Sequence, residues 1–365
     1  MNPKQAQRIA KQFTLFGSVK LDGHTVTLHT KTDGTDAEVL VILELPCMGI
    51  ERGASAPIYM TGSAFCKALR AAGPSGLIAG HNGTDPTVSG VAAIGDKPYS
   101  DYDALFTRVA ALMPDTEPVA EFSVPLDRLA AVSAMRASDD IRRYLCGLMV
   151  DHRNGRLAGC DGHVLGVANS DTIPKAADGA QYIVPGEAVD AILAAGASDW
   201  SLIPGQPVGY LLAAGEGSAI LVKCSPMKYP DIDRVTPSLK DRRLASVNDP
   251  QALAKRLLDA DRRGKVIDPG KPVMVVLTYR NVDANDCVLD VSVPILGPAS
   301  EITQLPADWT NGKTDTGFKI GIDARLLARA LMNAPLGMTL YFSTEKDAVR
   351  AQSAWLDCTV MPMRM

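Results

Sequence analysis

Four consecutive residues, Cys160-Asp161-Gly162-His163, place a thiol, a carboxylate and an imidazole in one short stretch. A thiolate beside a general base is the pairing that covalent hydrolysis needs. Neighbours along a strand point to opposite faces, however, so adjacency in sequence does not assemble a dyad. Asp161-Gly162 reads better as a turn, and His163 as a packed or groove-lining side chain. No second acid–base motif accompanies them. A hydrolase is therefore the minor alternative, and a non-catalytic protein is the expectation.

The other reactive residue types are dispersed. The seven cysteines, Cys47, Cys66, Cys146, Cys160, Cys224, Cys287 and Cys358, are odd in number and form no C-x-x-C pair. That spacing argues against a zinc site and against a disulfide framework, and it suits small core residues in a reducing compartment. The five histidines form no H-x-x-x-H or H-E-x-x-H pattern. No metal and no cofactor is expected. No apolar run approaches the ~20 residues of a membrane helix, and the start of the chain lacks the apolar core of a secretory signal. A cytoplasmic protein with no membrane partner is the simplest reading.

Two residue sets have the chemistry of binding. The last residues, Val360-Met361-Pro362-Met363-Arg364-Met365, are rich in methionine, whose flexible thioether repacks around different apolar anchors. Pro362 stiffens that tail and Pro230 stiffens a loop that can face it. The second set is cationic. Net charge is −4, so any attraction for nucleic acid must come from how charge is distributed. Lys4, Arg8 and Lys11 share one helical face opposite Ile9 and Phe13, and Arg325 and Arg329 repeat the i, i+4 spacing. Lys67, Arg70, Arg256 and Arg263 lie on comparable segments. A common surface made of such faces would attract phosphate while the acidic remainder repels it. The bland alternative is a set of ordinary solvated helix faces. No helix-turn-helix, zinc finger or aromatic stacking motif suggests readout of bases.

The elements that must position these residues recur about every sixty positions. Amphipathic helical segments begin near residues 2, 62, 125, 186, 250 and 323, with apolar spacing i, i+3, i+4 and with Ser, Asp or Pro at several starts. All but the fourth, which carries Glu187 and Asp190, are net basic. Between them the sequence alternates as strands. Asp22-Gly23 and Asn154-Gly155 are two-residue hairpin signals, and Val273–Leu277 with Cys287–Val291 forms a further pair. A sixty-residue unit buries too little to be comfortable alone. Pairing the units predicts an α+β chain of three similar domains over residues 1–120, 121–238 and 239–365, each of two helix-plus-antiparallel-strand repeats.

Arg143-Tyr144-Leu145-Cys146-Gly147 leads through a hairpin to Cys160-Asp161-Gly162-His163-Val164-Leu165, a run that resembles R-Y-x-L-x-G…T-D-G-H-R-L. Tyr182-Ile183-Val184-Pro185 resembles I-V-P before a helix. Tyr229-Pro230-Asp231-Ile232-Asp233-Arg234-Val235-Thr236-Pro237 resembles F-P-D-Y-x-R-V-x-P, and the tail resembles V-M-P-M-R-L. In this order and spacing the motifs resemble those of the bacterial DNA polymerase III beta subunit, the DNA sliding clamp. The match is good over residues 122–237 and 318–365, rests on pattern over 240–317, and is weak over 1–119. Val164, Cys160 and Met365 stand where arginine, threonine and leucine are usual, which marks a divergent member of the kind a phage or plasmid would carry.

The resemblance implies the DNA clamp fold and a head-to-tail homodimer ring around double-stranded DNA, with helices lining the channel. Lys4, Arg8, Lys11, Lys67, Arg70, Arg256, Arg263, Arg325 and Arg329 would then face the duplex without reading its sequence. It also implies a groove for short linear motifs of a polymerase subunit, the clamp loader and other proteins. Carried over by motif, that groove comprises Leu145, Cys160, Gly162, His163, Val164, Leu165, Pro230, Arg234, Val235, Val360, Met361, Pro362, Met363 and Arg364. The implied function is a processivity factor. A clamp-fold scaffold that binds proteins but is never loaded on DNA is the alternative.

Overall fold

The computed structural model describes residues 18–22, 25–31, 38–44, 58–72, 79–82, 85–88, 91–92, 116–176, 179–206, 208–240, 242–281, 287–297, 301–309 and 318–364. Among the described residues the helices are α1 (Gly62–Ala71), α2 (Leu126–Ser133), α3 (Gly186–Ala195), the single turn α4 (Ile232–Val235), α5 (Pro250–Ile267) and α6 (Ala324–Met332). Five of the six helices expected from the sequence are therefore in place. The segment 2–13, with Lys4, Arg8 and Lys11, lies outside the described residues. Capping explains where several helices begin. The Thr61 hydroxyl accepts from Ala64 N–H, Asp249 accepts from Ala252 N–H with Pro250 behind it, and Asp323 accepts from Arg325 and Leu326 N–H.

The chain gathers into two compact units. One contains Met1–Leu126, Ile141–Gly155 and Asp171–Lys228. Its main sheet runs Ile58–Thr61, Ser18–Asp22, Thr25–Lys31, Glu38–Glu44, Ser218–Lys223, Tyr210–Gly215, Asp199–Ile203, Ala120–Ser123, antiparallel throughout. The two strands expected on either side of Asp22-Gly23 pair antiparallel, with Asp22 itself in the first strand opposite Thr25. Helix α1 buries Phe65 and Leu69, and α3 buries Val189 and Ile192 and ends on Gly196 in the left-handed region at φ 67°. Trp200 is fully enclosed, with its indole N–H donating to Ala197 O at 3.0 Å.

The other unit contains Asp127–Asp140, Arg156–Ser170 and Tyr229–Met365. Its strands follow one another as Arg156–Cys160, Val164–Asn169, Leu356–Val360, Val349–Gln352, Met338–Phe342, Arg243–Val247, Glu301–Trp309, Cys287–Ser292, Met274–Asn281, Phe318–Asp323 and Pro362–Met363. Every neighbouring pair is antiparallel. The last residues thus serve the row twice. Leu356–Val360 pairs with Val164–Asn169, and Pro362–Met363 pairs with Phe318–Asp323. Helices α5 and α6 pack on each other, burying Leu253, Leu257, Leu327 and Leu331.

Helix α2 sits directly over Gly159. A β-carbon at that position would lie 2.3 Å from Val132 O, a backbone atom that cannot rotate away. Gly159→Ala should therefore cost about 3 kcal/mol, at the upper end of ordinary overpacking. A urea titration should show a lower midpoint with an unchanged slope. Gly270→Ala, where nothing lies within 4 Å, should leave the midpoint nearly in place. Equal midpoints for both variants would refute the tight helix–strand approach.

Candidate peptide groove and basic helix faces

The stretch that first suggested nucleophilic chemistry is built as a turn. Asp161 Oδ1 accepts from the N–H groups of His163 and Val164, both at 2.8 Å, and Asp161 N–H donates to Val164 O at 3.1 Å. Gly162 occupies φ 93°, which a side chain rarely adopts. The Cys160 sulfur accepts from Gly162 N–H at 3.2 Å. The carboxylate thus organises backbone, and the imidazole of His163 stands exposed at the turn. Elsewhere burial pushes the Cys224 thiol up to about 12 and raises that of Cys358, so these two stay neutral.

The tail strand docks on this turn. Val360 stands opposite Val164, and Met361 N–H donates to His163 O at 2.9 Å. Alternation then decides what each residue can offer. Val360 is buried, whereas Met361 is 46% exposed. A cleft of about 680 Å³ is lined by Glu345, Lys346, Met361, Pro362, Met363 and Arg364. Glu345 and Lys346 escaped the sequence reading. The polar run Ser343-Thr344-Glu345-Lys346, which reads as a turn before the last strands, was the signal that places them beside the tail.

The loop that carries Pro230, Arg234 and Val235 is held by two arginines. Arg156 grips Asp233 with two hydrogen bonds of 2.7 Å, and that fork holds the Asp233 carboxyl below its usual range. Arg350, paired with Asp357, donates to Pro237 O at 2.8 Å. Arg234 and Val235 are exposed at the surface of α4. Gly162, His163, Met361 and Arg364 are also exposed, and Cys160, Pro230, Pro362 and Met363 are half-buried.

The expected groove residues are not all at the surface. Val164, Leu165 and Val360, carried into the groove by motif, are all three buried in the sheet. They support the exposed residues from beneath and present almost no atoms of their own. Leu145 is likewise buried, in the short 3₁₀ turn Arg143–Leu145 of the first unit.

The basic residues divide in a similar way. Lys67 and Arg70 are exposed on α1, opposite buried Phe65 and Leu69. Arg256 and Arg263 are exposed on α5, and Arg256 also donates to Ile302 O at 3.2 Å. The Arg325 side chain is 62% exposed, 3.8 Å from Asp261. Arg329 differs from these. Its guanidinium turns inward onto Asp161, Ala134 O and Arg136 O, so it is not a free cation at the surface.

The arrangement of helices and antiparallel strands matches the DNA clamp fold. The chain superposes on the DNA polymerase sliding clamp of Pseudomonas aeruginosa with a TM-score of 0.68 and 18% identity, covering 100% of this chain and 99% of that one. A DNA polymerase III subunit beta from the same organism gives 0.66 and 16% with the same coverage. The Helicobacter pylori beta clamp, solved with a DNA ligase peptide, gives 0.64 and 11%, again over 100% and 99%. No protein-family model matches the sequence, and no curated protein is similar to it. Among the described residues no helix is long and apolar enough to cross a membrane.

Proposed function

We propose that this chain is a DNA sliding clamp, a non-catalytic processivity factor of the cytoplasm. In this reading residues 1–120, 121–238 and 239–365 are three clamp domains, and two chains close head to tail around double-stranded DNA. A polymerase subunit, the clamp loader and other proteins dock by short linear motifs. The observation that carries the reading is end-to-end likeness of fold to solved sliding clamps despite identities of 11–18%. The exposed cations of α1 and α5 support it, because a sliding ring needs attraction to phosphate without a fixed register.

The direct test is retention on DNA. With a clamp loader and ATP, the protein should stay on nicked circular DNA and leave when the circle is linearised. Failure to be retained on the circle would favour the protein-binding scaffold instead. A salt series adds detail. Lys67→Glu with Arg70→Glu should flatten the dependence of DNA affinity on salt by a slope of up to ~0.9 for each phosphate that the variant no longer neutralises. Unchanged slope would place α1 away from the duplex.

A further inference from the structure

We propose that Arg329 is a positioning residue of the peptide groove rather than a contact to DNA phosphate. The proposal rests on the groove reading above. Arg329 projects from α6, and four of its five N–H groups have partners within the second unit. Nη1 donates to Asp161 Oδ2 at 2.5 Å, Nε and Nη2 donate to Ala134 O at 3.1 and 2.9 Å, and Nη2 also reaches Arg136 O at 3.3 Å. Ala134 lies just past the end of α2, where helix carbonyls lack their own N–H partners and attract cations. Arg329 therefore joins the end of α2 to Asp161.

The second oxygen of Asp161 carries the argument onward. It holds the N–H groups of His163 and Val164, and the carbonyl of His163 receives Met361 N–H at 2.9 Å. A continuous path of hydrogen bonds thus runs from α6 through Asp161 to the exposed methionine of the cleft. Asp161 is only 15% exposed at its side chain and Arg329 only 31%. Removing the guanidinium leaves a largely dehydrated carboxylate without its cation, and the turn must rearrange to hydrate it. The neighbouring Arg325, one turn earlier on α6, shares none of these partners and is twice as exposed.

The experiment uses the full chain as wild type, Arg329→Gln, Arg329→Lys and Arg325→Gln, with Met361→Asp as the groove control. The probe is a synthetic ten-residue peptide ending in two leucines and a phenylalanine. Its affinity is read by fluorescence anisotropy. Amide hydrogen exchange is followed over residues 161–164 and 360–363, and DNA affinity across a salt series. Arg329→Gln should weaken the peptide about tenfold, speed exchange at His163, Val164 and Met361, and leave the salt slope unchanged. Arg329→Lys should recover part of the affinity, because an ammonium reaches Asp161 but cannot span the fork. Arg325→Gln should do the reverse, lowering the slope and sparing the peptide. Wild-type peptide affinity in folded Arg329→Gln overturns the proposal, and so does a lowered salt slope. Should Arg329→Gln not fold, Arg329→Lys decides: intermediate affinity supports the proposal, and wild-type affinity overturns it. If the wild type binds the peptide and Met361→Asp does not, any failure belongs to Arg329 alone. If the wild type captures no peptide, the groove reading itself is lost.

Discussion

Replacing Val266 and Ile267 with aspartate should convert the protein to monomers at micromolar concentration. Both end α5 at the surface, 83% and 59% exposed, and Ile295 lies partly exposed on the 3₁₀ turn that packs against the same end of the helix. Exposed branched aliphatic side chains at a helix end are of the kind that an association surface uses. A closed pair of chains related by a two-fold axis has two equivalent interfaces, each with one such surface. Burying a valine and an isoleucine contributes ~1.5–3 kcal/mol apiece, and a buried aspartate without a cation adds a penalty. A loss of about 4 kcal/mol per interface corresponds to roughly 10³-fold in affinity. Sedimentation velocity at a series of concentrations reads the change, and circular dichroism should be unaltered because neither side chain belongs to the core. A double variant that still sediments as a dimer at 1 μM would move the interface elsewhere, and a monomeric wild type would sink the ring.

Met361→Asp should abolish capture of an apolar clamp-binding peptide, with affinity falling by about fiftyfold or more. Met361 is the exposed partner in the Val360/Met361 alternation and lines the cleft with Pro362 and Met363. A carboxylate there stays hydrated only if the cleft stays open, so it competes directly with an apolar anchor. The variant should keep its melting temperature to within a few degrees, because the hydrogen bond from Met361 to His163 uses backbone only. Peptide binding is followed by anisotropy and folding by thermal denaturation. Retained affinity in a folded variant would mean that the peptide lands on another surface.

The sequence was most legible where periodicity is strong. Leu253 and Leu257, or Leu327 and Leu331, recur at helical spacing and are buried as that spacing requires. The pairing of Ser18–Asp22 with Thr25–Lys31 and of Met274–Asn281 with Cys287–Ser292 was readable for the same reason. Motif carry-over named Val164, Leu165 and Val360 without saying that they are buried. Alternation puts Val164 and Leu165 on opposite faces, but it does not say that both faces of this strand will be covered, as they are here. The i, i+4 pair Arg325 and Arg329 shows the same limit. One helical face looked uniformly basic, yet Arg325 meets solvent and Arg329 meets Asp161, 168 residues away in sequence. Asp161 was read as part of a turn, but the role of its Oδ2 could not be assigned without that distant partner.

The strand Val164–Asn169 finds its outer neighbour, Leu356–Val360, about 200 residues later. On a ribosome that interval has a duration. At the usual rates of synthesis, Val164 leaves the tunnel roughly ten to forty seconds before Val360 does. Throughout that time one side of the strand carries unpaired backbone groups of the kind that recruit a foreign strand. Nascent chains on neighbouring ribosomes of one message therefore pass through a window in which they can pair with each other instead. Slowing translation across residues 230–350 should widen that window and raise the insoluble fraction. Supplying the C-terminal segment in trans should narrow it.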